Sequence, residues 1–271
     1  MRRLMPICAL FILACDDGGG GGGASQEVTL VFGTVSEAGG GNLAGVSVTG
    51  GGAGASTDGN GKYQLEAAAG SQVVLSFKMS GYLTAMRTVD VLEKMPVSLE
   101  VVLVPEAEPK PLDAELGGSV SSMRGARMTA PAGAFVGPDG MSIGGMVDVS
   151  LTPLDPSDPD ELSGVTGRFV GRMAGAETTL LESWGMLDVT VRQEGQTLQV
   201  APGQALEIEV PAPSGATDPP EMVALWSFDA EANEWVQEGT ATYDPASKTY
   251  KASIGHMSPW NCDQPVDATC I

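Results

Sequence analysis

The 271-residue chain carries 34 Asp and Glu against 14 Lys and Arg, a formal charge of −20, and a single histidine. So acidic a balance argues against nucleic acid and anionic lipid surfaces as partners, because both select for basic patches. One histidine and four cysteines in no recognisable ligand spacing offer no zinc centre, and no metal or other cofactor is expected.

The chain begins MRRLMPICALFILACDD. Arg2 and Arg3 form a short basic start, and Leu4 to Ala14 are almost wholly apolar. That run falls short of the roughly 20 apolar residues of a permanent membrane helix, and residues 1–14 read as an export signal. Ile12-Leu13-Ala14 before Cys15 resembles the bacterial lipobox. The resemblance implies that Cys15 becomes the first residue and carries the lipid, so the membrane itself is one partner. It places the protein in the cell envelope, outside the cytosol, in the periplasm or on the cell surface. An ordinary signal peptide with a coincidental cysteine is the alternative. Residues 15–27 include an unbroken glycine run with no side chains to pack, which reads as a flexible tether. As coil, the twelve residues Asp16 to Glu27 span roughly 20 Å.

From 28 to 104 the chain alternates apolar and polar residues in short runs such as VTLVFGTV, KYQLEAA and SQVVLSFKM, separated by glycine clusters. Valine, threonine and aromatic residues suit a half-buried pleated surface, and no window holds a helical apolar stripe. A small β-sandwich is predicted. Asp58-Gly59-Asn60-Gly61 supplies a tight turn; the rival calcium loop fails because its twelfth position is Ala69. Gly33–Val35, Gly45–Val48, Thr57–Tyr63 and Gly81-Tyr82 together resemble the carboxypeptidase regulatory-like domain, a transthyretin-type sandwich. That resemblance implies fold and no catalysis. Residues 105–115, PEAEPKPLDAE, read as a proline-rich linker through which no strand runs.

Residues 116–271 are again β-rich, which makes the protein all-β with two sandwiches in tandem. Paired runs LWSF and EWVQ around DAEAN, and a second pair around Asp244-Pro245, predict two hairpins. DPSDPDE, Asp155 to Glu161, reads as a solvated loop, with a weak calcium seat as the rival. The ordered segments GARMTAPAGAFVGPDG, LLESWGMLDVTV and ALWSFDAEANEWVQEGTATYD resemble the β-sandwich of cartilage intermediate layer proteins. More distantly they resemble the domain shared by netrin receptors and ankyrins. Cys262 and Cys270 can close a nine-residue loop by a disulfide, worth about 2–3 kcal/mol; two unrelated thiols are the alternative.

HMSPWNC, 256–262, holds the single histidine beside a serine. Some netrin-receptor-type relatives cut themselves at His-x-Ser, and position matching makes His256 the base and Ser258 the nucleophile on the Met257–Ser258 bond. The plainer reading has His256 as a strand-end residue bonded to its neighbours over Trp260, and the protein as no enzyme. Trp184, Trp226, Trp235 and Trp260 all lie in the second unit; exposed they would stack on glycans, buried they fill a core. The expected function is non-catalytic adhesion, scaffolding or ligand binding, with an envelope protein or a glycan as the candidate partner.

Overall fold

The computed structural model describes residues 28–173 and 178–266. The export signal, Cys15, the tether and Cys270 lie outside these described residues. Among the described residues the protein is all-β, in four sheets with one short helix, and no helix is long and apolar enough to cross a membrane.

The first unit contributes β1 (Val28–Glu37), β2 (Ser47–Gly50), β3 (Ala53–Ser56), β4 (Lys62–Ala68), β5 (Gly70–Lys78), β6 (Ala85–Val91), β7 (Val97–Ser98) and β8 (Val101–Leu103). One sheet runs β4-β1-β7, with β8 also parallel to β1; the other runs β3-β2-β5-β6. Alternate residues of β1 and β4 turn inward, so Val31, Val35, Tyr63 and Leu65 meet Val48 and Phe77 across the sandwich. Period-two patterning alone decides which face is buried.

The residues of the family-like motif all close this sandwich. Thr57 is buried; its Oγ1 donates to Leu43 O at 2.6 Å and accepts from Val46 N at 2.9 Å. Asp58 Oδ1 accepts from Asn60 N at 2.8 Å and Lys62 N at 2.9 Å, and those amides hold its carboxyl below the usual range. Gly61 sits at φ +75°, which only glycine adopts without strain, so Asp58 to Gly61 is a turn. Tyr63 packs edge-on against Phe77, ring centroids 5.4 Å apart, and its hydroxyl donates to Leu99 O at 2.9 Å. Any Cβ at Gly33 would collide with that same Leu99 carbonyl.

The second unit begins inside the expected linker. Lys110–Asp113 forms β9, the last strand of the large sheet, paired with Met146–Val149. The expectation that no strand runs through 105–115 therefore fails. At an edge, one side of the strand needs no ladder donor, so Pro111 costs no hydrogen bond there. Upstream, Glu106 N donates to Gly81 O at 2.8 Å and Ala107 N to Thr152 Oγ1 at 2.9 Å, so the segment is strapped to both units.

The remaining elements are β10 (Gly118–Ser121), β11 (Arg127–Ala130), β12 (Phe135–Val136), β13 (Met146–Leu154), α1 (Pro159–Gly164), β14 (Val170–Arg172), β15 (Thr178–Gln193), β16 (Gln196–Thr197), β17 (Gln199–Val200), β18 (Leu206–Pro211), β19 (Met222–Asp229), β20 (Glu234–Asp244), β21 (Thr249–Ile254) and β22 (Pro259–Val266). The large sheet follows the order β10-β11-β18-β21-β20-β19-β22-β15-β13-β9, and β12 pairs with β17 apart from it. Its two end strands, β9 and β10, touch, so the sheet folds over a common core that includes Leu112, Val120, Leu187, Tyr250 and Trp260. Both predicted hairpins form: β19–β20 around 230–233, and β20–β21 around 245–248. Asp229 and Asp244 each open their turn by accepting backbone amides.

DPSDPDE lies at the surface as expected, with residues 157–160 exposed, but it is loop only as far as Asp158, since Pro159 begins α1. Asp158 caps α1 by accepting from Asp160 N at 2.9 Å, and Pro159 supplies a first residue that needs no donor. Asp155 accepts from Ser157 and from Ser214 N, and Glu161 pairs with Arg124 at 2.6 Å. These carboxylates are engaged by the fold itself.

Candidate functional site

The two units meet through a third apolar core. Leu83 and Met86 of the first pack against Leu154, Trp226, Phe228 and Trp235 of the second. Polar contacts ring this seam. The Arg87 guanidinium donates to Val165 O at 2.7 Å and to Ser163 O, binding the exposed carbonyls at the end of α1. Burial lowers its pKa to about 10. Asn233 Nδ2 donates to Thr88 Oγ1 at 2.7 Å, and Gly167 N to Met86 O at 3.1 Å.

Beside this seam lies a cleft of about 560 Å³, lined by Lys78, Tyr82 and Thr84 from the first unit and Asp188, Arg192 and Ser258 from the second. Its floor adjoins a smaller cavity of about 30 Å³ walled by Trp235 and Trp260. Both spaces share Leu83, Thr84, Thr166, Asp188 and Pro259. The indole N–H groups of Trp235 and Trp260 find no acceptor among the described residues. Asp188, Thr190 and Arg192 occupy one face of β15, while Leu187, Val189 and Val191 fill the main core from the other. Arg192 is ion-paired with Glu106, so its charge is already met. Among the described residues, Asp188 Oδ1 accepts only from Thr190 Oγ1, at 2.9 Å. Burial raises the Asp188 pKa to about 6; Thr190 and Arg192 pull it down and Glu106 pushes it up.

HMSPWNC reaches this cleft through Met257, Ser258 and Pro259, but His256 and Ser258 are bonded to different partners. His256 Nε2 lies 2.9 Å from Glu238 Oε1, and the ring rests on Trp260 with centroids 4.9 Å apart. Ser258 Oγ donates to Phe228 O at 3.0 Å, and Met257 N donates to Gln199 Oε1 at 3.1 Å. In this arrangement the hydroxyl proton is directed at a carbonyl and the imidazole at a carboxylate. A base must reach the hydroxyl it deprotonates, so attack on the Met257 carbonyl requires both side chains to break these bonds first.

The rest of the motif enters β22, a central strand flanked by β19 and β15. Cys262 is a free thiol, fully buried in the main core, and burial holds it above its usual pKa, with Asp263 adding to the effect. The expected bridge to Cys270 is not formed by this thiol: strand alternation turns its side chain inward, and Cys270 lies outside the described residues. Asn261 and Asp263 are also fully buried. Asn261 Nδ2 donates to Asp263 Oδ2 at 2.6 Å, and Ser183 Oγ donates to Asn261 Oδ1 at 2.7 Å. Asp263 Oδ1 has no partner among the described residues. Burial raises the Asp263 pKa to about 8, against the opposing hydrogen bonds of Ser183 and Asn261.

Trp226, Trp235 and Trp260 are at most 1% exposed, and Trp184 is packed against the main core. Three of the four indoles have no face left for stacking on a glycan.

No family model matches the chain. Over 140 residues, 48% of the chain, it is 32% identical to cartilage intermediate layer protein 2 of Mus musculus. The match spans 12% of that protein. A solved Bacteroides fragilis protein of unknown function, described as a candidate membrane-associated protein, overlays 89% of this chain and 99% of its own at 9% identity and a TM-score of 0.24. BcpA, the major pilin subunit of Bacillus cereus, solved as a variant, overlays 90% of this chain and 97% of its own at 11% identity, also at 0.24. At such TM-scores the fold rests on the strands described above.

Proposed function

We propose that this chain is a membrane-anchored, non-catalytic protein of the cell envelope whose β units bind a ligand or serve adhesion and scaffolding. The observation that carries this reading is the cleft beside the seam. Two units joined by a continuous apolar core hold polar side chains from both across a space of about 560 Å³. Clefts at the junction of two units are favoured places for ligands. In this reading Cys15 carries the lipid, the first unit is a carboxypeptidase regulatory-like sandwich, and the second is a relative of the cartilage intermediate layer sandwich. Disulfide pairing of Cys262 plays no part in it.

Intact-mass measurement of the native protein extracted from membranes tests the reading. The expected result is a chain that starts at Cys15, carries acyl chains and retains Ser258–Ile271. Cys15→Ala should remove the acyl mass and move the protein to the soluble fraction. A wild-type protein that is water-soluble and unacylated overturns the anchored reading.

A further inference from the structure

We infer that the cleft takes a ligand carrying a primary ammonium group, paired with Asp188 at the boundary between cleft and floor. This rests on the ligand-binding reading of the cleft. Among the described residues, Asp188 is the one carboxyl of the lining that forms no ion pair: Glu106 holds Arg192, and the Thr190 hydroxyl is the hydrogen-bond donor that reaches Asp188. Asp188 is half-buried, and a partly desolvated carboxylate without an ion-pair partner gains from an incoming ammonium.

Hydrogen bonding narrows the class: an ammonium head carries three N–H donors, and Asp188 shares the boundary between cleft and floor with the Thr84 and Thr166 hydroxyls, which can accept them. Leu83, Met86 and Phe228 offer an apolar path for an alkyl stem. The acidic excess of the chain concentrates cations around it.

The charged and titratable groups that share the cleft with Asp188 are Glu106, Arg192, Lys78 and Tyr82. Glu106 and Arg192 offset each other, and the Tyr82 hydroxyl donates to Glu37 at 2.7 Å. Exposed Lys78 at the rim is therefore the opposing charge.

The test is calorimetric titration of the full-length extracted protein with n-butylamine, n-butanol, butyrate and Nα-acetyl-lysine amide. Butylamine or the lysine amide should bind, butanol and butyrate should not, and the tighter of the two amines tells a free amine from a lysine side chain. Affinity should rise from pH 5 to pH 7, with protons released below about pH 6, because the cation selects the ionised carboxylate. Asp188→Asn should weaken binding by about tenfold or more. Lys78→Glu, on an exposed side chain that leaves folding intact, should tighten it about threefold. Butanol or butyrate binding as well as butylamine, or no response to Lys78→Glu, overturns the ammonium assignment and leaves the cleft as a ligand site. No saturable binding of any probe overturns both.

Discussion

The two β units achieve burial by different means. The first has no tryptophan and fixes itself through single side chains bonded to backbone: Thr57 across its opening loop, Asp58 in its turn, Tyr63 on Leu99. The second relies on large aromatic side chains, with Trp226, Trp235, Trp260 and Tyr250 all fully buried. A small unit buries a smaller share of its surface and depends more on each specific bond, whereas a large one draws on area. Because every tryptophan lies in the second unit, far-ultraviolet dichroism reads both units and tryptophan fluorescence reads the second and the seam.

That difference can be tested to breaking. The largest effect is expected from Trp226→Ala, which empties the seam and should cost about 3–5 kcal/mol in denaturant titration, followed by both signals. Next, Gly33→Ala places a methyl against the Leu99 carbonyl and should cost about 3 kcal/mol. Its loss of dichroism should precede the loss of fluorescence, and coincident transitions would show one cooperative body. Thr57→Val removes one buried hydroxyl from two bonds and should cost about 1–3 kcal/mol, confined to the first unit.

A pH series sharpens the contrast from the other side. Asp263 is a carboxyl whose folded pKa, about 8, stands above its unfolded value near 4. The folded state then holds more protons than the unfolded one, so stability should fall as pH rises from about 4 to about 8. Asp263→Asn should flatten that slope by up to about 1.4 kcal/mol per pH unit, measured by urea midpoints across the range. Asp188 acts in the same direction, ending near pH 6, so the double variant should be flatter still. Smallest of all, Ser258→Ala deletes one hydrogen bond to Phe228 O and should cost about 1 kcal/mol, with the variant, like the wild type, recovered as one uncut chain whose mass differs only by the deleted oxygen.

The strands were legible because alternation of β1, β4 and β18 records burial locally, residue by residue. So were the turns at Asp58, Asp229 and Asp244, where each carboxylate closes onto amides two to four residues on. The spacer at 105–115 misled because its prolines signal a break, and whether a proline sits at a sheet edge is decided by strands far away in sequence. α1 misled because its six residues are too few for a helical stripe. The cleft was invisible for a deeper reason. Asp188, Thr190 and Arg192 have the spacing of any solvent-facing strand side, and only the first unit, laid over them, makes that side a wall. His256 and Ser258 drew attention as neighbours in sequence, yet their hydrogen bonds go to residues 18 and 30 positions away.

The interior placement of Cys262 gives the protein a built-in clock. Reagents such as maleimides attack only a thiol they can reach, and β22 must leave both β19 and β15 before this sulfur meets solvent. Timed alkylation, read on the fragment containing residue 262, therefore reports how often the whole second unit comes apart, with no label added beforehand.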